Sequence, residues 1–339
     1  MEIMGLAGRA IPITLSDSSQ TGNARRQALS LADSLGFDEL PLGQLGIVVT
    51  EAARNIEAHA GEGEIILTPW RHGEQAGVDV LALDKGKGIE NIAISMQDGH
   101  STAGTPGNGL GAMARLAGVF QIFSAAGTGT AIFARIFAKA HQQESLTESN
   151  DLGSICVPIA GETLCGDAWE MHRTPGRTVY IMADGLGHGP IAAEASQEAL
   201  RAFRASAKHS PERILSEVHG ALAKTRGAAV SVAEILHEQH ILNYAGAGNI
   251  VAAIGLRGKT RSLVSMNGTV GHSIGRIQQF PYPWEKDSML IMHSDGLGTR
   301  WNLENYPGLP SRHPALLAGV LFRDFSRKRD DATIIVSRI

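Results

Sequence analysis

Cysteine is scarce in this chain, whose 339 residues hold only two, Cys156 and Cys165. That is too few for a disulfide framework or a structural zinc site, and reduced thiols in a cytoplasmic protein are the expectation. Aromatic residues make up 5% of the chain, which offers no stacking platform for single-stranded nucleic acid. A net charge of −4 supplies no pull toward nucleic acid or an acidic membrane surface. No apolar run approaches the length that spans a bilayer, and MEIMGLAGRA lacks the basic-then-apolar layout of a secretory signal. What is present is a globular composition, 43% hydrophobic and 19% charged, with length enough for two domains.

The patterning predicts a first unit over residues 1–139, a polar linker over 140–150 (AHQQESLTESN within it), and a second unit over 151–339. In the first, a strand is expected at Arg9–Thr14, helices at Ser16–Ser34 and Leu40–Ala60, and strands at Glu64–Pro69 and Gly77–Leu83. A glycine-bearing loop then leads to a helix at Leu110–Ala117 and a closing hairpin at Val119–Ala125 and Thr130–Ala138, an α/β sandwich complete by about residue 138. The second unit reads as short strands at Leu152–Ile159, Arg177–Ala183, Ala229–Leu236, Ile241–Ala245, Ile250–Gly255, Ser288–His293 and Thr333–Val336. Helices fall at Ile191–Ala207, Pro211–Lys224 and Pro314–Phe325, so this unit is α+β, two sheets with helices outside.

Two sets of residues carry chemistry. On the second helix, TEAARNIEAH places Glu51, Asn55 and His59 at steps of four, on one face. A carboxylate there can polarise an attacking hydroxyl or water, and an amide oxygen can ligate Mg²⁺. Alone, such a pair is ordinary on a solvated face. Its weight comes from three glycine-bearing segments downstream, in this order: DKGKG (Asp84–Gly88), GNGLG (Gly107–Gly111) and GTGT (Gly127–Thr130). Asp84, at a strand end, can accept from an adenine amino group, with Gly86 and Gly88 allowing close backbone approach. GNGLG opens a helix, where free N–H groups suit phosphate. It does not directly follow a strand, so a dinucleotide fold is disfavoured.

The second set is acidic: CGDAW (Asp167), MADGLGHG (Asp184), HSDGLG (Asp295) and RKRDDAT (Asp330, Asp331). Each Asp-Gly alone is a turn. Together, carboxylates converging from strand ends repel unless cations stand between them, and an oxygen-only set favours Mg²⁺ or Mn²⁺.

The first set resembles the ATP-binding domain shared by gyrase, Hsp90-type chaperones, histidine kinases and anti-sigma-factor kinases (the GHKL fold). MQDGHSTAG (Met96–Gly104) resembles the serine-kinase branch, in particular the RsbT-type switch kinases. That resemblance implies ATP with Mg²⁺ on Asn55, Glu51 as base, Asp84 reading adenine, Gly107, Gly109 and Gly111 around the phosphates, and Thr130 supporting the adenine pocket. His59 is then expected to pack the helix and His100 to belong to the lid. Lys85 and Lys87 in the adenine-side loop, and Pro106 and Asn108 in the glycine loop, depart from the pattern. The second set, in its order, resembles the SpoIIE branch of the metal-dependent (PPM, or protein phosphatase 2C-like) protein phosphatases and, across 151–339, RsbX-type phosphoserine phosphatases. SICVPI, RGAAVSVAEI and YAGAGNI support it. By resemblance, Asp184 bridges two Mn²⁺ or Mg²⁺, the Gly185 carbonyl adds a ligand, Asp295 and Asp330 complete one metal, and Asp167 contributes a nearby acid. Asp331 is the lesser ligand of its pair and Gly248-Asn249 is scaffold. His188 is open between a substrate contact and a satisfied loop residue, and His293 packs a strand end. The combination implies a bifunctional stress-signalling regulator acting on a STAS-domain partner.

Overall fold

The computed structural model describes residues 2–4, 10–96, 109–139 and 152–338. The expected linker 140–150 lies outside the described residues, as do Gly107, His100, Pro106 and Asn108. The chain divides into two compact units: residues 8–151 with 311–323, and residues 1–7 with 152–310 and 324–339.

The chain opens on β1 (Glu2–Met4), which pairs into the sheet of the second of these units. The first unit then runs β2 (Ile11–Leu15), α1 (Ser19–Ser34), α2 (Glu39–His59), β3 (Gly63–His72), β4 (Gln75–Asp84), α3 (Ile92–Ser95), α4 (Gly109–Leu116), β5 (Val119–Ser124) and β6 (Thr130–Phe137). Its antiparallel sheet has the order β2-β3-β4-β6-β5. Helix α1 begins three residues later than Ser16, because the Asp17 carboxylate accepts from the Ser19 N–H at 2.9 Å and holds the chain in a turn first. Ala24, Ala28 and Ala32 line its buried face, small enough to bring α1 close to the sheet. Between β3 and β4 the turn is tight at Gly73 (φ 56), so both strands run further than the turn-rich RHGEQAG suggests.

The second unit runs β7 (Leu152–Val157), β8 (Asp167–Thr174), β9 (Arg177–Gly185), α5 (Gly189–Ser206), α6 (Pro211–Ala221), β10 (Ala228–Leu236), β11 (Ile241–Ala247), β12 (Val251–Leu256) and β13 (Lys259–Ser262). It continues through β14 (Gly268–Thr269), β15 (Ser273–Ile274), β16 (Phe280–Pro283), β17 (Met289–His293) and β18 (Ala332–Arg338), with α7 (Pro314–Phe325) between β17 and β18 in sequence only. Two large sheets form, β1-β8-β9-β10-β11-β16 and β13-β12-β17-β18-β7, beside a two-stranded β14-β15 pair. Period-two alternation on β9 builds both layers. Val179, Ile181 and Ala183 pack with Leu200, Phe203 and Val218 of the helices, while Tyr180 and Met182 join a core with Leu290, Met292 and Ile335. Strand β8, not expected from the sequence, carries Asp167 at its start.

Helix α7 belongs to the first unit, although the chain on both sides of 311–323 belongs to the second. It covers the sheet face opposite α1 and α2. A Cβ on Gly319 would stand 3.1 Å from Cδ2 of both Leu81 and Leu83. The His313 ring stacks on Phe133 at 4.3 Å, and the His313 N–H donates to Gln121 Oε1 at 2.7 Å. Covered on both faces, β6 is buried at every position instead of at alternate ones. The first unit is therefore not complete at residue 138. No described helix is long and apolar enough to cross a membrane.

Candidate functional site

The first unit contains a cavity of about 920 Å³ lined by Glu51, Asn55, His59, Asp84, Gly109 and Thr130, among others. Steps of four along α2 bring Glu51, Asn55 and His59 to that one wall. His59 is exposed at the rim, not packed under the helix as expected, because α2 ends there and the chain turns away. The Asn55 Nδ2 is buried with no hydrogen-bond partner among the described residues, an unsatisfied donor that a ligand's oxygen would satisfy. One Glu51 oxygen pairs with Arg54 at 3.2 Å, and the other stands 2.8 Å from where a Cβ on Gly109 would be. A Cβ there would push the Glu51 carboxylate from its place beside the start of α4. Gly111 is buried within α4.

Asp84 closes β4, and its Oδ1 accepts from the N–H groups of Gly86 (2.8 Å) and Thr130 (3.1 Å). The carboxylate is thereby fixed in direction, with Oδ2 available to a donor. The Thr130 hydroxyl bonds Ser124 Oγ at 2.9 Å, and that oxygen accepts from the Ile89 N–H at 2.8 Å, tying the loop after Asp84 to the hairpin. Gly86 and Gly88 have a protein-internal reason to be glycine. A Cβ on Gly86 would meet Ala60 and the His59 carbonyl at 2.8 Å, and one on Gly88 (φ +73) would strike the Ala125 carbonyl at 2.1 Å. Lys85 and Lys87 are exposed, and Lys87 reaches the cavity wall.

The second unit gathers acids. Asp167 and Asp184 are direct cross-strand partners in β8 and β9, an arrangement in which like charges destabilise the pair. Asp167 is buried, and its Oδ2 has no partner among the described residues. Burial, followed by the charges of Asp331 and Asp330, pushes its carboxyl up to about 7. Burial and then Asp167, Asp295, Asp330 and Asp331 push Asp184 up to about 9. Asp295 is also raised, by burial and Asp330, while Arg327 and a 2.7 Å bond from Asn249 Nδ2 oppose the rise. Asp331 spends both oxygens on backbone, accepting from Ile159 N–H at 2.8 Å and Gly166 N–H at 2.7 Å. Asp330 accepts the Asp331 N–H at 2.9 Å.

These carboxylates feel one another without closing into a cage. Among the described residues no three His, Cys, Asp or Glu side chains form a ready metal-ligand group. The donor chemistry nonetheless fits a hard cation. The donors are oxygens, the buried Asp167 Oδ2 has no partner among the described residues, and burial followed by neighbouring negative charge raises the Asp184 pKa. Gly185 sits under α5, where a Cβ would strike the Ala192 carbonyl at 2.1 Å, so the turn after Asp184 must be glycine. His188 is bonded to Glu162 through Nδ1 at 2.9 Å. His293 is buried, its Nδ1 on the Ser294 carbonyl (2.8 Å) and its Nε2 accepting from Trp301 (3.0 Å), a neutral ring locked in place.

Sequence reasoning missed two cations near these sites. Arg323 of α7 is buried against the sheet carrying Asp84. Arg226, noted only within RGAAVSVAEI, borders the loop after Asp184. Its place just ahead of a strand pairing with the DG turn was the available signal.

Residues 14–136 match the histidine kinase-like ATPase domain family, and residues 174–339 match the stage II sporulation protein E family. The serine/threonine-protein kinase RsbT of Bacillus subtilis (strain 168) is 37% identical over 109 residues, which are 32% of this chain and 82% of RsbT. The phosphoserine phosphatase RsbX of the same organism is 28% identical over 138 residues, 40% of this chain and 69% of RsbX. A chain in a solved structure of the bacterial stressosome is 25% identical with a TM-score of 0.52, covering 56% of this chain and 98% of its own. The protein thus belongs to the RsbT family through its histidine kinase-like ATPase domain, which is fused in one chain to a SpoIIE-type phosphatase domain related to RsbX.

Proposed function

We propose that this chain is a two-headed signalling regulator. One head is an ATP-dependent protein serine/threonine kinase, and the other removes phosphate from serine or threonine of a partner protein. The observation that carries the phosphatase reading is Asp167 facing Asp184 across a strand pair, with Asp295 and Asp330 close enough to raise the Asp184 pKa. Asp184, Asp295, Asp330 and the Gly185 carbonyl would hold two Mn²⁺ or Mg²⁺, with Asp167 beside them. Bound there, such ions supply a water of lowered pKa and a clamp for phosphoryl oxygens. Asn249 orients Asp295, and Asp331 fixes the loop that presents Gly166 and Asp167.

The kinase reading rests on the cavity wall. Asn55 would hold Mg²⁺ through its amide oxygen, Glu51 would take the proton of the attacking hydroxyl, and Asp84 would accept from adenine. Gly107, Gly109, Gly111 and Thr130 would complete the nucleotide site. The proposed partner is a STAS-domain phosphoprotein of stressosome type, a reading supported by the likeness to RsbT, RsbX and a stressosome chain. The test is incubation of the full chain with ATP, Mg²⁺ or Mn²⁺ and candidate STAS proteins, following their mass in both directions. Phosphate gained in ATP and lost in Mn²⁺ alone is the expected result; no change in either direction sinks the proposal.

A second reading makes the nucleotide domain a sensor that gates the phosphatase. It is favoured by the hydrogen bond between Arg323 and the Asp84 carbonyl, because α7 lies in sequence between Asp295 and Asp330. Asn55→Ala separates the two. Loss of partner phosphorylation supports the kinase, and an altered phosphatase rate alone supports the sensor.

A further inference from the structure

The carboxylates of the acid cluster themselves offer a substrate's phosphate no hydrogen-bond donor. We propose that Arg226 is the phosphoryl anchor of the phosphatase head, an inference that rests on the phosphatase reading above. Strand register sets its place: Ala228 pairs with Gly185, and the Leu186 N–H donates to the Gly227 carbonyl at 3.1 Å. Arg226 therefore flanks the loop that leaves Asp184. Its Nη1 stands 3.0 Å from where a Cβ on Gly187 would be. Gly187 in turn borders the acids, because a Cβ on Gly166 would lie 3.4 Å from the Gly187 carbonyl and 2.7 Å from Asp331 Oδ2.

The backbone holding Arg226 is rigid. The Gly227 N–H donates to Thr225 Oγ1 at 3.0 Å, and the Thr225 N–H donates to the Leu222 carbonyl at 2.9 Å. Gly227 (φ +79) is wedged so tightly that a Cβ would meet His272 and the Val270 carbonyl at 2.7 Å. The guanidinium is exposed and, among the described residues, makes no hydrogen bond, ion pair or ring contact that would occupy its fork. Arg327, a cation near the cluster, already acts on Asp295, whose pKa it lowers. An uncommitted planar fork on a rigid turn matches two non-reacting oxygens of a phosphoserine or phosphothreonine dianion.

The test uses the full Mn²⁺-loaded chain, with a phosphoserine peptide as substrate and inorganic phosphate as probe. Arg226→Ala should raise KM and the inhibition constant of inorganic phosphate together, by about 10- to 100-fold, with kcat little changed. Arg226→Lys should recover only part of the loss, lacking the fork. Phosphate should raise the Tm of the Mn²⁺-loaded wild type and not that of Arg226→Ala, while Mn²⁺ itself stabilises both equally. Equal phosphate-dependent Tm shifts in the two proteins, or no shift in the wild type, would overturn the proposal. So would a phosphate response lost in Arg327→Ala and kept in Arg226→Ala. A wild type that binds phosphate through Arg226 but hydrolyses nothing would overturn the phosphatase reading and leave the anchor standing.

Discussion

Arg323 Nη1 donates a 3.1 Å hydrogen bond to the main-chain carbonyl of Asp84, the residue whose carboxylate faces the cavity of the nucleotide unit. Two residues further along, the Phe325 carbonyl accepts from the Gly298 N–H at 2.8 Å, and the Arg327 N–H donates to the Gly296 carbonyl at 2.8 Å. Gly296 comes directly after Asp295, and a Cβ on it would lie 2.0 Å from the Asp331 carbonyl. In sequence, then, the chain passes from Arg323, which bonds the Asp84 carbonyl, to Phe325 and Arg327, which bond the segment after Asp295. If it transmits occupancy, ATP changes the rate of phosphopeptide hydrolysis by about 5-fold or more. Arg323→Ala abolishes that response while keeping the nucleotide-free rate. Rates measured with and without ATP in both proteins decide it, and a wild type indifferent to ATP removes the coupling.

The same helix makes a stability prediction. A fragment ending at residue 150 lacks 311–323 and leaves the face bearing Leu81, Leu83 and Phe133 without its cover. Such a patch favours aggregation. The fragment is expected to fail to give a cooperative unfolding transition where the full chain gives one. In the full chain, Gly319→Leu overpacks the contact with Leu81 and Leu83 and should cost about 1–3 kcal/mol, read by denaturant titration.

Asn55 offers a cleaner separation of binding from folding. Its Nδ2 is buried and unpartnered among the described residues, so truncation removes an unsatisfied donor and no hydrogen bond from that atom. Asn55→Ala should leave the Tm without nucleotide unchanged or slightly raised, and erase the Tm increase produced by Mg·ATP. Gly109→Ala should reduce the same increase by a different route, since its Cβ would come 2.8 Å from Glu51 Oε2 and displace that carboxylate. Thermal melts with and without Mg·ATP check both. A full ATP shift retained in Asn55→Ala contradicts the assignment of this cavity.

How much of this was written in local sequence varies with the range of the interaction. The spacing of Glu51 and Asn55 and the strand-end positions of Asp84 and Asp184 follow from periodicity, and the structure places them as that periodicity requires. The residues α7 would cover were not legible, because a 3.6-residue period marks a helix without naming its partner. TAIFARIF on β6, apolar at both parities except for Thr130 and Arg135, carried the hint that a second layer exists. Strand β8 escaped notice because charged residues interrupt it; Glu170 is buried only by virtue of Arg204, 34 residues away. The engagement of Asp331 by Ile159 and Gly166 likewise depends on chain brought in from far upstream.

Arg135 tests that second layer directly. It is fully buried, forks onto Asp79 at 2.6 and 2.8 Å, and lies 4.3 Å from the Trp70 ring. Arg135→Ala strands the Asp79 carboxylate and should cost about 3–5 kcal/mol. Pairing it with Asp79→Asn should recover part of that loss, because the stranded charge is gone. A double variant as unstable as the single one would mean that packing on Trp70, not the ion pair, carries the energy.

Asp184 allows the acid cluster to be examined without turnover. Its pKa of about 9 in the folded chain stands far above the ordinary 3.8, with burial as the first cause and the neighbouring acids next. Between those two values the folded state binds more protons than the unfolded one, so this group's stabilising contribution is complete below pH 4 and declines as pH rises toward 9. In EDTA, wild-type Tm should fall across that window more steeply than the Tm of Asp184→Asn, which has no proton to lose. Adding Mn²⁺ should reverse the ranking at alkaline pH, because deprotonated carboxylates are then stabilised by the cation in the wild type alone. Parallel pH profiles in EDTA would mean that Asp184 is not held protonated by its neighbours. An equal Mn²⁺ response in the two proteins would mean that it is not a ligand.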